Sequence, residues 1–281
     1  MKPFERPAVI TSDREKLLIV GSSGTRKTSA CIQLAVMYPD VGVAILDPDD
    51  GVARVVRDYG GFAAVPNLIH LPCPTWNHME EQYKFVKPLL EPGDWLCIDM
   101  IGQFYSAAKD DYIARKYKMS VEQFLFEKKK PDSRLGFEGL GPDDWEIIRM
   151  MHDSIIQDAI RRLSCNVMLT AGTRNIIFIE KRTAGGTETV PLHSAPDKWI
   201  PRKVMPECEK HIDYAVSTIL YLTSKDIPRG RNEVELEFTM STVGKDRGRN
   251  PINQTWSGIL WREYCEAVGL TEYLDKSPGK E

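Results

Sequence analysis

The sequence lacks the features of a membrane-spanning, disulfide-stapled or metal-stabilised protein. No apolar run approaches the roughly 18 residues that a membrane-spanning helix requires. The opening Met1–Arg6 carries no apolar segment of the secretory kind, so the expectation is a cytoplasmic protein with no membrane partner. The six cysteines (Cys31, Cys73, Cys97, Cys165, Cys208, Cys265) include no Cys-x-x-Cys pair, and several sit in apolar runs, which suits reduced core thiols better than disulfides. The five histidines form no metal-binding constellation: Cys208-Glu209-Lys210-His211 has a zinc-like gap but no second pair to complete it. No Gly-x-Ser-x-Gly elbow is present, which leaves nucleophilic hydrolysis without a case. There is no internal repeat, and a net charge of −3 gives no global basic signature for nucleic acid. Any such binding is local, and the basic clusters are Lys128–Lys130, Arg229–Arg231 and Lys245–Arg249.

What is present is ordinary globular material. At 281 residues, with 42% hydrophobic and 27% charged side chains, the chain can bury the core of one large α/β domain. Short apolar runs at Leu17–Val20, Val43–Leu46, Leu68–Leu71, Trp95–Ile98 and Val167–Thr170 read as buried strands. Helical spacing occurs at Lys27–Met37, His78–Leu90 and Trp145–Leu163. The alternation of strand and helix implies a mainly parallel sheet covered on both faces. Tyr214–Leu222 and Val234–Met240 are β-like and predict an antiparallel pair at the sheet edge, and Ile259–Val268 predicts a closing helix. The expectation is a single domain over 1–281 with an insertion at about 102–144, rich in aromatic and basic residues, and a projecting hairpin at about 175–202 around Gly185-Gly186.

The segment Gly21-Ser22-Ser23-Gly24-Thr25-Arg26-Lys27-Thr28 matches the phosphate-binding loop at its first Gly, its Lys and its Thr, between a strand and a helix. Backbone N–H groups of such a loop, extended by the helix that Ser29 continues, form a compact positive site for phosphate oxygens. Lys27 is placed to contact β- and γ-phosphates and the Thr28 hydroxyl to ligate Mg2+. Arg26 departs from the pattern, standing where the loop has its second defining glycine; if that position has positive φ, a non-glycine residue costs about 1–2 kcal/mol.

About seventy residues downstream, Asp99 ends the Trp95–Ile98 strand and is expected to reach the same Mg2+ from the strand beside the loop. Met100 follows it, so an activating carboxylate must come from elsewhere. Asp47 and Asp49 lie at the tip of the second strand; Asp49 is the candidate for orienting the attacking water, and the acidic turn reads equally as carboxylates capping backbone N–H groups. Thr170 is a candidate γ-phosphate sensor, although Thr is also a favoured strand residue.

In this order the motifs resemble the RecA-like ATPases of bacteriophages, of the single-strand-annealing and recombination type. The resemblance rests on Gly21–Thr28, Asp47-Pro48-Asp49, Asp99, the Thr170 strand, and Phe238–Met240 leading into Lys245-Asp246-Arg247, which is similar to a Lys-x-Arg finger. It implies a RecA-like core that binds ATP/ADP with Mg2+ and assembles head to tail into a homo-oligomer. Lys245 and Arg247 would then complete a neighbour's site, and the segments after the Asp99 and Thr170 strands would line a channel for single-stranded DNA in the host cell cytoplasm. Bracketed by Gly244 and Gly248, Lys245-Asp246-Arg247 also reads as a charged β-turn. Two further function classes share the loop: a nucleotide-gated assembly or packaging protein with slow turnover, and a small-molecule or nucleotide kinase.

Overall fold

The computed structural model describes residues 14–129, 139–183, 186–193, 195–209, 211–228, 234–246 and 255–257. Along the chain these form β1 (Lys16–Gly21), α1 (Lys27–Met37), β2 (Val43–Asp47), α2 (Gly51–Val55), β3 (Leu68–Pro72), α3 (Trp76–Val86), β4 (Trp95–Ile98), α4 (Ile101–Tyr117), α5 (Val121–Lys128) and α6 (Pro142–Arg162). There follow β5 (Asn166–Ala171), β6 (Thr173–Asn175), β7 (Phe178–Thr183), β8 (Gly186–Pro191), β9 (Val204–Pro206), α7 (Ile212–Ala215), β10 (Thr218–Pro228), β11 (Val234–Asp246) and β12 (Thr255–Ser257).

The main sheet has the order β12-β11-β10-β1-β5-β4-β2-β3. From β10 to β3 every neighbouring pair is parallel, and β11 and β12 add antiparallel strands. The fold class is therefore α/β, with a mainly parallel sheet and antiparallel strands towards the C-terminus. Alternation along the central strands divides the core into two layers. Leu18, Val20, Leu46, Ile98 and Leu169 join residues of α3, α4 and α6, such as Met79, Phe104 and Ile156, on one face. Leu17, Ile19, Ile45, Cys97 and Met168 join Ala30 and Leu34 of α1 and Val52 of α2 on the other. Because both faces are covered, the central strands read as unbroken apolar runs.

The structure corrects several expectations. Tyr214 and Ala215 belong to a short helix, and the strand begins only at Thr218. That strand, β10, pairs in parallel with β1 inside the sheet, and β12 lies beyond β11. In the 102–144 segment, Phe104, Tyr112 and Phe124 are buried in the core and are not free to stack on nucleic-acid bases, whereas Phe126 is exposed. Phe104 and Tyr112 lie on α4 and Phe124 on α5, where it packs against Tyr117 of α4. Lys245 and Asp246 continue β11 rather than forming a turn. Arg247 and Ile259–Val268 lie outside the described residues. Cys31, Cys73, Cys97 and Cys165 are buried free thiols and Cys208 is a partly buried one. Among the described residues no helix is long and apolar enough to cross a membrane.

Candidate functional site: a phosphate-binding loop and its carboxylate

Every residue of β1 is buried, and the strand stops at Gly21 for a steric reason. A Cβ at Gly21 would lie 2.3 Å from Thr25 Oγ1 and 2.9 Å from the Leu222 carbonyl oxygen, so only glycine fits. The loop then closes on itself, with Thr25 Oγ1 donating to the Ser22 carbonyl at 2.8 Å. Gly24 has φ 79°, and Arg26, the N-cap of α1, has φ 64° and ψ 33°. The position that the loop pattern gives to glycine is thus left-handed here and is occupied by arginine. Its guanidinium carbon lies 4.1 Å from the centroid of the Phe238 ring on β11, which gives the side chain a cation–π partner. The first turn of α1 has no side-chain cap and no acidic residue. Its N–H groups and the positive end of its dipole therefore face the loop space, as anion binding requires.

Lys27 Nζ donates to the carbonyls of Gly21 and Ser22 at 2.8 and 2.9 Å, which folds the side chain back over the loop. Thr28 Oγ1 donates to Asp99 Oδ2 at 2.5 Å, and Thr170 Oγ1 donates to Asp99 Oδ1. These contacts join the loop to the two strands behind it. Asp99 is 2% exposed, and burial pushes its carboxyl above the ordinary carboxylate range against the opposing pull of the Thr170 and Thr28 hydrogen bonds. Burial lowers the Lys27 ammonium from its ordinary value, opposed by the charges of Asp99 and Asp49.

The strand order changes how Asp99 reaches the loop. β4 is not beside β1, because β5 lies between them. Thr170 on β5 fills that interval; it is fully buried and spends its hydroxyl on Asp99. The hydrogen bond ties Thr170 to the carboxylate at the end of the neighbouring strand. Both carboxylates of the β2 turn are also engaged. Asp47 accepts from the Gly51 and Val52 N–H groups at 3.2 and 3.0 Å and contacts His70 Nε2 at 2.8 Å. Burial raises the Asp47 carboxyl, but the hydrogen bonds outweigh it and leave the group below its ordinary value. Asp49 Oδ1 accepts from Gly51 N at 3.1 Å, and burial together with Asp47 pushes its carboxyl up. The capping alternative for this turn thus has direct geometric support. Asp47, Asp50 and His70 bring possible metal-ligand atoms within 4.8 Å of one another, which the sequence spacing did not reveal. Both Asp47 oxygens already have partners there.

A cavity of about 740 Å³ opens over the loop. It is lined by Ser22, Ser23, Gly24, Arg26, Lys27, Thr28 and Ser29, and by Asp49 and Asp99. Gly21, Thr25 and Thr170, also expected at this site, are not among its lining residues. The wall also contains Arg54, Met100, Gly172, Thr173 and Glu207, which sequence reasoning missed. Glu207 arrives through the short antiparallel pair of β6 and β9 (Thr173↔Pro206), and Ser22 and Thr173 share a 3.0 Å hydroxyl contact across the loop. No local motif marks these residues, because their meeting depends on how the chain returns after an excursion of some thirty residues.

Lys245 lies elsewhere. β10 runs parallel to β1, with Thr218 opposite Leu17 and Leu222 opposite Gly21, and β11 returns antiparallel with Asp246 opposite Thr218. The end of β11 that carries Lys245 is therefore at the sheet end opposite its own phosphate loop, separated by at least four residues of strand or roughly 13 Å.

No protein-family model matches the chain, and no curated protein sequence is similar to it. Among solved structures, the RadB recombinase is similar at 13% identity and TM-score 0.43, over 86% of each chain. A DnaB-like replicative helicase, solved in a study of its interactions with primase, is similar at 12% identity and TM-score 0.41, over 87% of this chain and 54% of the helicase.

Proposed function

We propose that the chain is a RecA-like P-loop ATPase that binds ATP and ADP at the Gly21–Thr28 loop, hydrolyses ATP and acts on single-stranded DNA as a head-to-tail homo-oligomer. The observation that carries the nucleotide reading is the convergence of Lys27, Thr28 and Asp99 on one cavity over an uncapped helix N-terminus. The cavity supplies backbone N–H groups and an ammonium for phosphate oxygens, and the exposed Arg26 and Arg54 add positive charge to its wall.

The donor set also fits a divalent cation. The Thr28 hydroxyl and the Asp99 carboxylate are adjacent hard oxygen ligands, and Asp99 is a buried carboxylate whose charge is costly without a cation. Thr28 and Asp99 would hold Mg2+, directly or through water, and the bound ion would supply charge neutralisation for the phosphates. The position of Lys245 supports the head-to-tail reading. Being at the far end of the sheet from its own loop, it can serve a nucleotide only in a neighbouring subunit. The single-stranded DNA and recombination part of the proposal rests on the resemblance in the motif set.

The test is ATP hydrolysis by the purified protein with and without single-stranded DNA at low salt, with Lys27→Ala as control. Turnover that DNA stimulates, that salt suppresses and that the variant lacks is the expected result. ATP binding without turnover points instead to a nucleotide-gated assembly protein, and failure to bind ATP removes the nucleotide reading.

A further inference from the structure

We infer that Glu207 is the catalytic carboxylate that takes the proton from the water attacking the γ-phosphate; this deepens the ATPase reading and rests on it. Three observations carry it. Glu207 lines the same cavity as Lys27, Thr28 and Asp99. Its backbone is fixed there, with its N–H donating to the Gly172 carbonyl at 2.9 Å just beyond the β6–β9 pair. Glycines flank it on both sides. A Cβ at Gly172 would lie 2.8 Å from Glu207 Oε2, and one at Gly102 would lie 3.3 Å from the Glu207 carbonyl oxygen. The absence of a side chain at Gly172 leaves the room that the carboxylate occupies, and its absence at Gly102 lets the Glu207 backbone pass.

The other carboxylates of the site are already engaged. Asp99 accepts from two hydroxyls through its two oxygens, and Asp49 accepts from Gly51 N–H and adjoins Asp47. Met100, next to Asp99, offers no acid–base group. The Glu207 side chain is exposed, and among the described residues nothing hydrogen-bonds or ion-pairs with its carboxylate, so both oxygens are available to water. In the step assigned here, the water oxygen forms a bond to the γ-phosphorus while its proton passes to Glu207. The bond from phosphorus to the β,γ-bridging oxygen breaks, and its electron pair leaves with ADP. Glu207 then returns the proton to the released phosphate or to solvent.

The test compares Glu207→Gln, Asp49→Asn and Gly172→Ala in the full-length protein, reading both steady-state ATP turnover and ATP affinity. Glu207→Gln is expected to lower kcat by roughly 10²–10⁴-fold, the span of a lost general base, with ATP affinity and the urea midpoint near those of the unmodified protein. Turnover lost in Asp49→Asn but kept in Glu207→Gln would return the base role to Asp49 and overturn the assignment. Gly172→Ala keeps the carboxylate but displaces it, so kcat falls, and adding this change to Glu207→Gln costs nothing further because both act on one group. Turnover near the unmodified value in Glu207→Gln overturns the assignment. ATP binding without turnover by the unmodified protein, with and without DNA, also overturns the assignment but leaves the nucleotide site intact. No ATP binding by the unmodified protein overturns the reading on which it rests.

Discussion

Replacing Arg26 by Gly and by Ala separates two opposing energies at the phosphate loop. The residue sits at φ 64°, ψ 33°, where a side chain costs about 1–2 kcal/mol relative to glycine. Its guanidinium lies 4.1 Å over Phe238, and at an exposed position such a contact contributes about 0.5–1 kcal/mol. Arg26→Ala keeps the strain and loses the contact, so it should destabilise by about 0.5–1 kcal/mol. Arg26→Gly loses the same contact but relieves the strain, less the ~0.4–1 kcal/mol by which glycine loosens the unfolded chain. The contact cancels between the two variants, which leaves glycine more stable than alanine by close to 1 kcal/mol on the midpoints of these ranges. Urea unfolding monitored by tryptophan fluorescence reads this difference as a shift in midpoint. An alanine variant as stable as the glycine variant would refute the strain argument. A double-mutant cycle of Arg26→Ala with Phe238→Leu should show coupling of about 0.5–1 kcal/mol, and zero coupling would remove the cation–π contact as an anchor of the loop.

The remaining predictions concern the frame around the site. Gly21→Ala drives a methyl against the Leu222 backbone oxygen, so it should destabilise by about 1–3 kcal/mol and weaken ATP binding, checked by urea midpoint and equilibrium binding. Asp144, 4% exposed, accepts hydrogen bonds from Tyr112, Lys116, Tyr117 and the Gly141 N–H; Asp144→Asn should lower stability by about 1.5–3 kcal/mol, as for a lost charged hydrogen bond. Burial raises the Asp144 carboxyl, but the hydrogen bonds from Lys116, Tyr112, Gly141 and Tyr117 outweigh it and hold the group well below the usual carboxylate range. Its stabilising contribution is therefore present above the unfolded value of about 3.9 and is lost as pH falls from there through the lower folded value. Acid unfolding followed by circular dichroism should show a shallower decline in Asp144→Asn than in the unmodified protein; parallel curves would contradict this.

The local chemistry of the chain was sufficient to place the glycine-rich loop between β1 and α1 and most of the central sheet. Val43–Leu46, Trp95–Ile98 and Val167–Thr170 read as strands because a doubly covered parallel sheet demands continuous apolar residues. Lys27–Met37 reads as a helix with the boundaries that the structure shows. Sequence also singled out Lys27 and Thr28 from a strand, a glycine-rich turn and a helix N-terminus in one short segment, and Asp99 from the end of a later apolar run; the structure brings the three to one cavity. Tertiary structure alone decided the strand order, which puts β5 between the loop strand and the Asp99 strand and brings the Thr170 hydroxyl onto Asp99. It also decided that Phe104, Tyr112 and Phe124 pack in the core, that Arg26 stacks on a residue more than two hundred positions away, and that Glu207 lines the cavity. The physical reason is common to all of these. Apolar periodicity and turn chemistry act over a few residues and are written in the sequence, whereas strand pairing joins segments whose separation along the chain leaves no local trace.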